Sequence, residues 1–324
     1  MDPFLDLIKV LRPAATLWRG ADAHGRWGVS FRPRGDLLFC WVERGECQLT
    51  RPGLPAVRMQ SDDFVLVRAS STFVLTSDPS VKPLDSEALV ATTKGKRLQV
   101  GSGLKSPVTL HGGRFVINPV NEELLTGLLP PLIHIVANDP SSWRVRSLMK
   151  INREESLQPR PGSQFVVARL MEVILVECLR TESLRVNPEQ TGLLAGLADP
   201  VAARALTAMH GKVASNWTVS VLAKLCGVSR STFAHRFRVT VGMGPIEYLQ
   251  RWRMALAKDD LIRGKRSVGE IALAIGFQSS SAFSTAFSRA MGCSPKQFAT
   301  SKSRRKKGVP STGAVQHFHR TLCP

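Results

Sequence analysis

Two short sets of residues in the last third of the chain carry the side chains best suited to hydrogen bonding with a patterned polar surface. The first is Arg230, Ser231, Thr232, Ala234, His235 and Arg238; the second is Ser279, Ser280, Ser281, Ser284 and Thr285. Spacings of three and four put them along one side of a helix, while Phe233 and Phe237, or Phe283 and Phe287, share the other side. Small polar groups and arginines on a free helix face suit the major groove of DNA, where base edges display donors and acceptors and phosphates flank them. Catalytic and metal-binding chemistry has no comparable set. The six cysteines, at 40, 47, 178, 226, 293 and 323, make no CxxC pair and no paired framework.

The elements that must hold the two sets are written twice. Leu222-Ala223, Cys226-Gly227 and Val228 recur as Ile271-Ala272, Ile275-Gly276 and Phe277. Farther on, Phe233, Phe237, Gly242, Pro245 and Tyr248 are answered by Phe283, Phe287, Gly292, Pro295 and Phe298. Each copy reads as a short helix, a turn at Gly227 or Gly276, and a second helix capped by Ser229 or Ser279. Thr218 is placed to cap the first helix, with Val221, Leu222 and Leu225 directed inward. Between the copies, Ile246 to Arg263 reads as a helix opened by Pro245, with Leu249, Trp252, Leu256 and Leu261 among Arg251, Arg253 and Lys258. A helix of about 18 residues spans ~27 Å, enough to hold two reading helices roughly one DNA turn apart.

On these residues the segment from Val201 to Thr300 resembles the DNA-binding domain of the AraC/XylS family of bacterial transcription regulators. The resemblance is carried by Ala223 and Gly227, by Gly242 and Pro245, and by Arg253 with Ala255. It continues through Val268-Gly269-Glu270-Ile271-Ala272, Gly276-Phe277 and Phe283 to Phe287, and closes with Gly292, Ser294, Pro295 and Phe298. It implies base contacts from Ser231, Ala234 and His235 in the first reading helix. From the second it implies base or backbone contacts by Ser280, Ser281, Ser284 and Thr285. Ala234 stands where the family often has a long polar residue, so the resemblance implies a first head that reads fewer bases.

Charge agrees with a nucleic-acid partner. Beyond residue 200 there are 20 Lys and Arg against 4 Asp and Glu, whereas residues 1–200 carry 24 against 21. The +19 excess of the chain therefore sits almost wholly on the half that must neutralise phosphate. Lys9, Arg12 and Pro13 interrupt any leader-like run, and there is no apolar stretch of membrane-spanning length. A cytoplasmic protein with free thiols and no membrane association is expected.

The first half has a different texture. Residues 2–12 read as an amphipathic helix with Phe4, Leu5, Ile8 and Leu11 on one side. Short strand-like segments follow at Trp27–Phe31, Leu37–Glu43, Cys47–Thr50, Phe64–Val67, Thr72–Thr76, Leu98–Val100 and Arg114–Ile117, which predicts a small sandwich or barrel. Asp2-Pro3, Leu11-Arg12-Pro13, Gly25 with Trp27, Gly45, Asp63, Ser77-Asp78-Pro79 and Gly113-Arg114-Phe115 resemble the cupin-like sensor domain of one AraC subgroup. Members of that subgroup commonly have a histidine after the position of Phe39, another near Phe73, and a cysteine where His111 stands. Cys40, Phe73 and His111 depart from that pattern, so neither metal nor cofactor is expected. Cys40, His24 and His111 are the residues from which an unusual ligand pocket would be built.

Three helices are predicted next: Glu122–Ala137, kinked at Pro130-Pro131; Ser142–Leu157; and Gln164–Leu179, which starts from Ser163 and carries Phe165, Val166, Leu170, Val173, Ile174 and Val176. Helices at this place form a dimer seam in AraC-type regulators, which implies a homodimer. The expected fold class is α+β and multidomain: a cupin-like β-barrel with dimerisation helices over 1–182, a linker over 183–199, an all-α tandem helix-turn-helix domain over 200–300, and a basic disordered tail over 301–324. Asp199 and Pro200 suit the cap and first turn of the opening helix of that domain. The function implied is sequence-specific transcriptional regulation controlled by an effector sensed in the N-terminal domain. Its partners would be promoter or operator double-stranded DNA, a small-molecule effector and RNA polymerase. A non-specific architectural DNA binder is the competing reading. Enzymatic alternatives, a cupin catalyst or a DNA alkyltransferase, lack the ligand set or the reactive cysteine they need.

Overall fold

The computed structural model describes residues 2–17, 20–34, 36–93, 97–103, 107–117, 129–158, 160–183 and 191–300. They fall into two compact units: the chain up to Ala208 together with Val219–Pro245, and Met209–Thr218 together with the chain from Ile246 on.

The first unit opens with helix α1 (Pro3–Leu11), capped by Asp2, whose carboxylate accepts from the Phe4 N–H at 2.9 Å. Phe4, Leu7, Val10 and Leu11 are its buried face, while Leu5 is 47% exposed. The apolar stripe therefore runs through Leu7, one turn from Phe4 and from Leu11, and not through Leu5 and Ile8 as the sequence suggested.

Strands β1 (Ala14–Leu17), β2 (Ala21–Gly25), β3 (Gly28–Phe31), β4 (Leu37–Arg44), β5 (Glu46–Arg51), β6 (Leu54–Gln60), β7 (Phe64–Arg68), β8 (Phe73–Thr76) and β9 (Leu84–Asp85) follow. After helix α2 (Ser86–Thr92) come β10 (Leu98–Ser102), β11 (Val108–Val116) and β12 (Leu132–Ile135). They form two sheets instead of one closed barrel. A seven-stranded sheet runs in the order β10-β2-β11-β4-β7-β12, with β1 also paired to β11; a five-stranded sheet runs β6-β5-β8-β3-β9. Alternation along each strand sends Leu38, Cys40, Val42, Val65, Val67 and Leu110 of the larger sheet inward against Val29, Cys47, Leu49, Phe73 and Leu75 of the smaller.

The segment Leu132–Ile135 corrects the expected helix over Glu122–Ala137. It is a strand, antiparallel to β7, with Leu132 opposite Val67 and Ile135 opposite Phe64. Residues 118–128, which hold the rest of that expected helix, lie outside the described residues, as does the basic tail over 301–324. Asp63, only 3% exposed, ties this edge together. Its carboxylate accepts from the Gln60 N–H at 2.9 Å and the Ala137 N–H at 2.8 Å, and lies 3.1 Å from His134 Nε2.

Helices α3 (Trp143–Leu157) and α4 (Ser163–Ser183) pack on each other, and α4 also lies against β1 and β12. Ser163 is the first helical residue, not the residue before the helix; its Oγ accepts from the Arg160 N–H at 2.6 Å and donates to Glu155 at 2.5 Å. Helix α4 buries Val167, Met171, Ile174, Leu175 and Cys178, yet leaves Phe165 70%, Val166 40% and Val173 46% exposed.

Past residue 190, a short helix α5 (Leu193–Ala198) stands in the segment expected to be linker, with Leu193 and Leu194 buried. Asp199 then caps α6 (Pro200–Gly211), accepting from the Val201 and Ala202 N–H groups at 2.9 and 2.8 Å, as its position before Pro200 predicts. Four helices carry the repeated pattern on either side of a long one: α7 (Val219–Cys226), α8 (Arg230–Val241), α9 (Pro245–Arg263), α10 (Val268–Ala274) and α11 (Ser280–Met291), with a last helical turn over 295–300.

Candidate nucleic-acid interface

Each reading helix is set by the same local chemistry. In the first pair, Gly227 takes φ +73° to end α7. Ser229 is extended and its hydroxyl accepts from the Thr232 N–H at 3.2 Å, fixing the start of α8. In the second pair Gly276, at φ +88°, makes the turn, and Ser279 accepts from the Ala282 N–H at 3.1 Å to open α11. A reciprocal capping box starts α10: Ser267 accepts from the Glu270 N–H at 3.2 Å while the Glu270 carboxylate accepts from the Ser267 N–H at 2.7 Å. Left-handed Gly242 and Gly292 terminate α8 and α11. The repeat seen in the sequence is thus a repeat of caps and turns as well as of apolar residues.

Phe233, Phe237, Phe283 and Phe287 are fully buried. In the second unit the Phe283 ring lies 5.5 Å from Phe287, which meets Phe298 edge-on at 5.3 Å. These rings fix the opposite face outward. Arg230, Ser231, Thr232, His235 and Arg238 of α8 are exposed and Ala234 is half-buried. In the second set Ser279, Ser280, Ser281 and Thr285 are exposed and Ser284 is half-buried. Every sequence-predicted residue therefore lies on the turn and outer face it was assigned to.

The hydroxyls are not equivalent. Ser229 Oγ lies 3.1 Å from Ser231 Oγ and 2.8 Å from Thr232 Oγ1, so both candidates are engaged in the cap. Ser281 is likewise 2.9 Å from Ser279, and Ser284 donates to the Ser280 carbonyl at 2.7 Å. Among the described residues Arg230, His235, Arg238 and Thr285 have no side-chain hydrogen bond or ion pair, which leaves their full bonding capacity for another molecule.

Two features of α7 and α8 escape the sequence pattern. Val221 and Leu225, expected to point inward, are 48% and 44% exposed; Leu222, Ala223 and Cys226 form the buried side instead. Arg236, absent from the predicted set, turns from the candidate face to Asp199, 2.6 Å away, the residue that caps α6. Only that pairing partner, 37 positions upstream, distinguishes it from Arg238.

In the second unit, α9 is buried nearly all round, unlike the amphipathic helix expected there. Tyr248, Leu249, Trp252, Ala255, Ala257 and Leu261 are buried, and so are Arg253, Lys258 and Asp259. Arg253 donates from Nε and Nη2 to the Val213 carbonyl at 3.0 and 2.8 Å and from Nη2 to Ser215 at 2.9 Å; burial pulls its pKa below the usual guanidinium value. His210 stacks on Trp252 at 4.3 Å and lies 2.7 Å from the Tyr248 hydroxyl.

Residues 2–183 match the Cupin family, and residues 222–301 match a helix-turn-helix domain family. The DNA-binding domain of AdpA, a global transcriptional factor solved in complex with a target DNA, is 30% identical, covers 34% of this chain and 98% of that chain, and gives a TM-score of 0.32. A Streptomyces lividans protein assigned as an AraC-like transcription regulator is 38% identical over 301 residues, 92% of this chain and 98% of its own; its Streptomyces antibioticus counterpart is 39% identical over the same shares. The chain belongs to the AraC-like transcription regulators.

This AraC-like regulator binds DNA through its helix-turn-helix domain, and its family regulates transcription instead of catalysing a reaction. In its cupin half, the three residues considered for a ligand pocket are not brought together. Cys40 faces inward among Trp27, Val42, Val65 and Phe73, where burial, then the nearby Cys47, pushes its thiol well above the ordinary value. Cys47 is likewise pushed up to about 12 by burial and by Asp63 and Glu46. His111 points out of the opposite face of the same sheet, with Nε2 at 2.5 Å from Glu43. His24, next to core-facing Ala23, alternates to the side away from the core. Among the described residues no helix is long and apolar enough to cross a membrane.

Proposed function

We propose that Arg230 and Arg238 hold phosphates while Ser231, His235 and their neighbours Thr232 and Ala234 face base edges, and that Ser279, Ser280, Ser281, Ser284 and Thr285 form a second, weaker reader. The observation that carries this reading is the duplicated cap-and-turn geometry, which turns two polar helix faces outward over two buried phenylalanine pairs. The second face has no cation of its own; exposed Arg289 and Lys296 beside it are assigned to phosphate.

The division of labour follows the chemistry: residues 1–182 sense an effector and dimerise, 183–199 link, 200–300 read DNA, and 301–324 add non-specific charge. Dimerisation is assigned to α4, whose Phe165, Val166 and Val173 stay exposed after its other side is buried; a second copy of the same helix would cover them. RNA polymerase is the further protein partner, and exposed Val221 and Leu225 on α7 offer it an apolar contact. The protein works in the cytoplasm and has no catalytic role.

Substitution separates the two kinds of DNA contact. Arg230→Gln or Arg238→Gln should weaken binding to all sequences alike and reduce the salt slope by about one per residue, while His235→Ala should change preference at particular bases by about 1–3 kcal/mol. Binding isotherms on operator and scrambled duplexes over a salt series read both. An unchanged base preference and affinity in His235→Ala would mean that α8 does not read bases.

A further inference from the structure

The space between the two sheets is filled by apolar side chains, among them Trp27, Cys40, Met59 and Phe73. A cleft of about 460 Å³ lies elsewhere. It opens on the outer face of the seven-stranded sheet and is lined by Asp22 of β2, Glu43 and Arg44 of β4, Pro107 and Thr109 at the start of β11, and Arg153 of α3. That size is in the ordinary range for a small-molecule site.

The backbone aims both Glu43 and Arg44 into it. In a regular strand these neighbours would point to opposite faces, but the β4–β11 register slips there: Leu110 faces Val42 while Thr109 faces Arg44. A bulge of this kind re-aims a side chain, and it leaves two consecutive residues on one wall.

The hydrogen-bond inventory of the cleft then decides the sign of its occupant. Both carboxylates are used. Glu43 meets His111 at 2.5 Å and Arg153 at 2.6 Å through different oxygens. Asp22 accepts from Arg97 at 2.8 and 3.1 Å and, at 3.3 Å, from Gln99 and Thr109. The donors of Arg44 and Arg153 are only partly used. Arg44 is exposed and has no partner among the described residues, and Arg153 spends one of its nitrogens on Glu43. Arg44 and Arg153 line the cleft beside two carboxylates that are already engaged, Asp22 by Arg97 from outside the lining, so the unspent groups the wall offers are N–H donors in the fork geometry that suits oxyanions.

We propose that this cleft is the effector site and that it takes a small organic anion, bound through a carboxylate or phosphate group by Arg44 and Arg153. The link to regulation rests on the DNA-binding function argued above; the site itself does not. Arg153 belongs to α3, α3 packs on α4, α4 meets α5, and α5 meets the first reading helix α8, all inside one compact unit. The last step is tight. The Gly192 N–H donates to the Thr240 carbonyl at 3.0 Å, Arg236 pairs with Asp199, and a Cβ on Gly196 would lie 2.7 Å from Val241. An anion that draws Arg153 from Glu43 shifts α3 and, through those contacts, α8.

The test is calorimetric titration of the full-length protein with succinate and with inorganic phosphate, using tetramethylammonium as the cationic control. Saturable binding of at least one anion and not of the cation is expected, weakened about tenfold in both Arg44→Gln and Arg153→Gln. Arg58→Gln, whose exposed pair with Glu46 lies on the other sheet, should leave it unchanged. Arg44 has no partner to lose among the described residues, so its variant is expected to keep the fold and guards against a trivial loss in Arg153→Gln. No saturable anion binding, or binding equally strong in Arg44→Gln, overturns the site. Arg44→Gln, which leaves the Arg153–Glu43 pair intact, should bind operator DNA without anion as the parent does. If the anion binds and is lost in the variants but never alters operator affinity, the site stands and its role as effector site is overturned.

Discussion

Gly227 and Gly276 make the same turn in the two helix pairs, yet replacing each by alanine should have unequal consequences. Both have positive φ, +73° and +88°. An L side chain there costs about 1–2 kcal/mol, offset by about 0.4–1 kcal/mol from the lost freedom of the unfolded chain, and these contributions are common to both sites. The surroundings differ. A Cβ at Gly227 meets nothing within 4 Å; at Gly276 it would lie 2.6 Å from the Ala214 carbonyl oxygen and 2.8 Å from both Ala214 Cα and Arg253 Nη2. Neither neighbour yields easily, because Arg253 holds the turn through the carbonyls of Val213 and Ser215. Overpacking of this kind adds about 1–3 kcal/mol. The expected destabilisation is therefore about 1 kcal/mol for Gly227→Ala and about 2–4 kcal/mol for Gly276→Ala. A gap of about 2 kcal/mol corresponds to about thirtyfold more frequent opening. Amide hydrogen exchange on the full-length protein, read over 219–228 and 268–277, measures each turn in its own unit. Equal loss of protection in the two variants, or none in Gly276→Ala, would refute the reasoning.

Two further outcomes follow from buried polar groups. Arg253→Lys keeps the charge but loses the fork that spans two carbonyls; a loss of about 1–3 kcal/mol in denaturant unfolding of the second unit is expected, and an unchanged midpoint would show that the carbonyls find other donors. Asp63 is the acid-sensitive anchor of the strand edge: burial alone would raise its pKa, but His134 and the Gln60 and Ala137 N–H groups outweigh it and hold the carboxyl below its ordinary value. Its contribution is present above the unfolded value of about 4 and lost as pH falls through the folded value. Asp63→Asn should therefore lower stability at neutral pH and flatten the acid limb of the stability curve; a limb as steep as the parent's would exclude Asp63 as its source.

The helix-turn-helix pairs were legible because their information is local and duplicated. A cap serine, a left-handed glycine and phenylalanines four apart are each readable within a dozen residues, and the second copy repeats them. Where the answer depended on distant pairing, the sequence misled or was silent. Leu132 to Ile135 continues a leucine-rich run of helical spacing, and only its register against Phe64–Val67 makes it a strand. Helices α1, α4 and α7 were recognised, but with apolar residues on more than one side, local period alone did not say which side is buried; Leu5, Phe165, Val221 and Leu225 ended outside. The cleft is the extreme case. Asp22, Glu43, Thr109 and Arg153 come from four elements, the first and last 131 positions apart, and a bulge decides which way Glu43 and Arg44 face.

The central claim, two reading helices that recognise a defined DNA sequence, is tested most directly by selecting bound duplexes from a random pool with the full-length protein and footprinting the winners. Two protected boxes about one helical turn apart are expected, and they should survive when residues 200–300 alone replace the full chain. Enrichment of no motif by either protein, with affinity that tracks salt but not sequence, would contradict the claim and leave a non-specific architectural binder in its place.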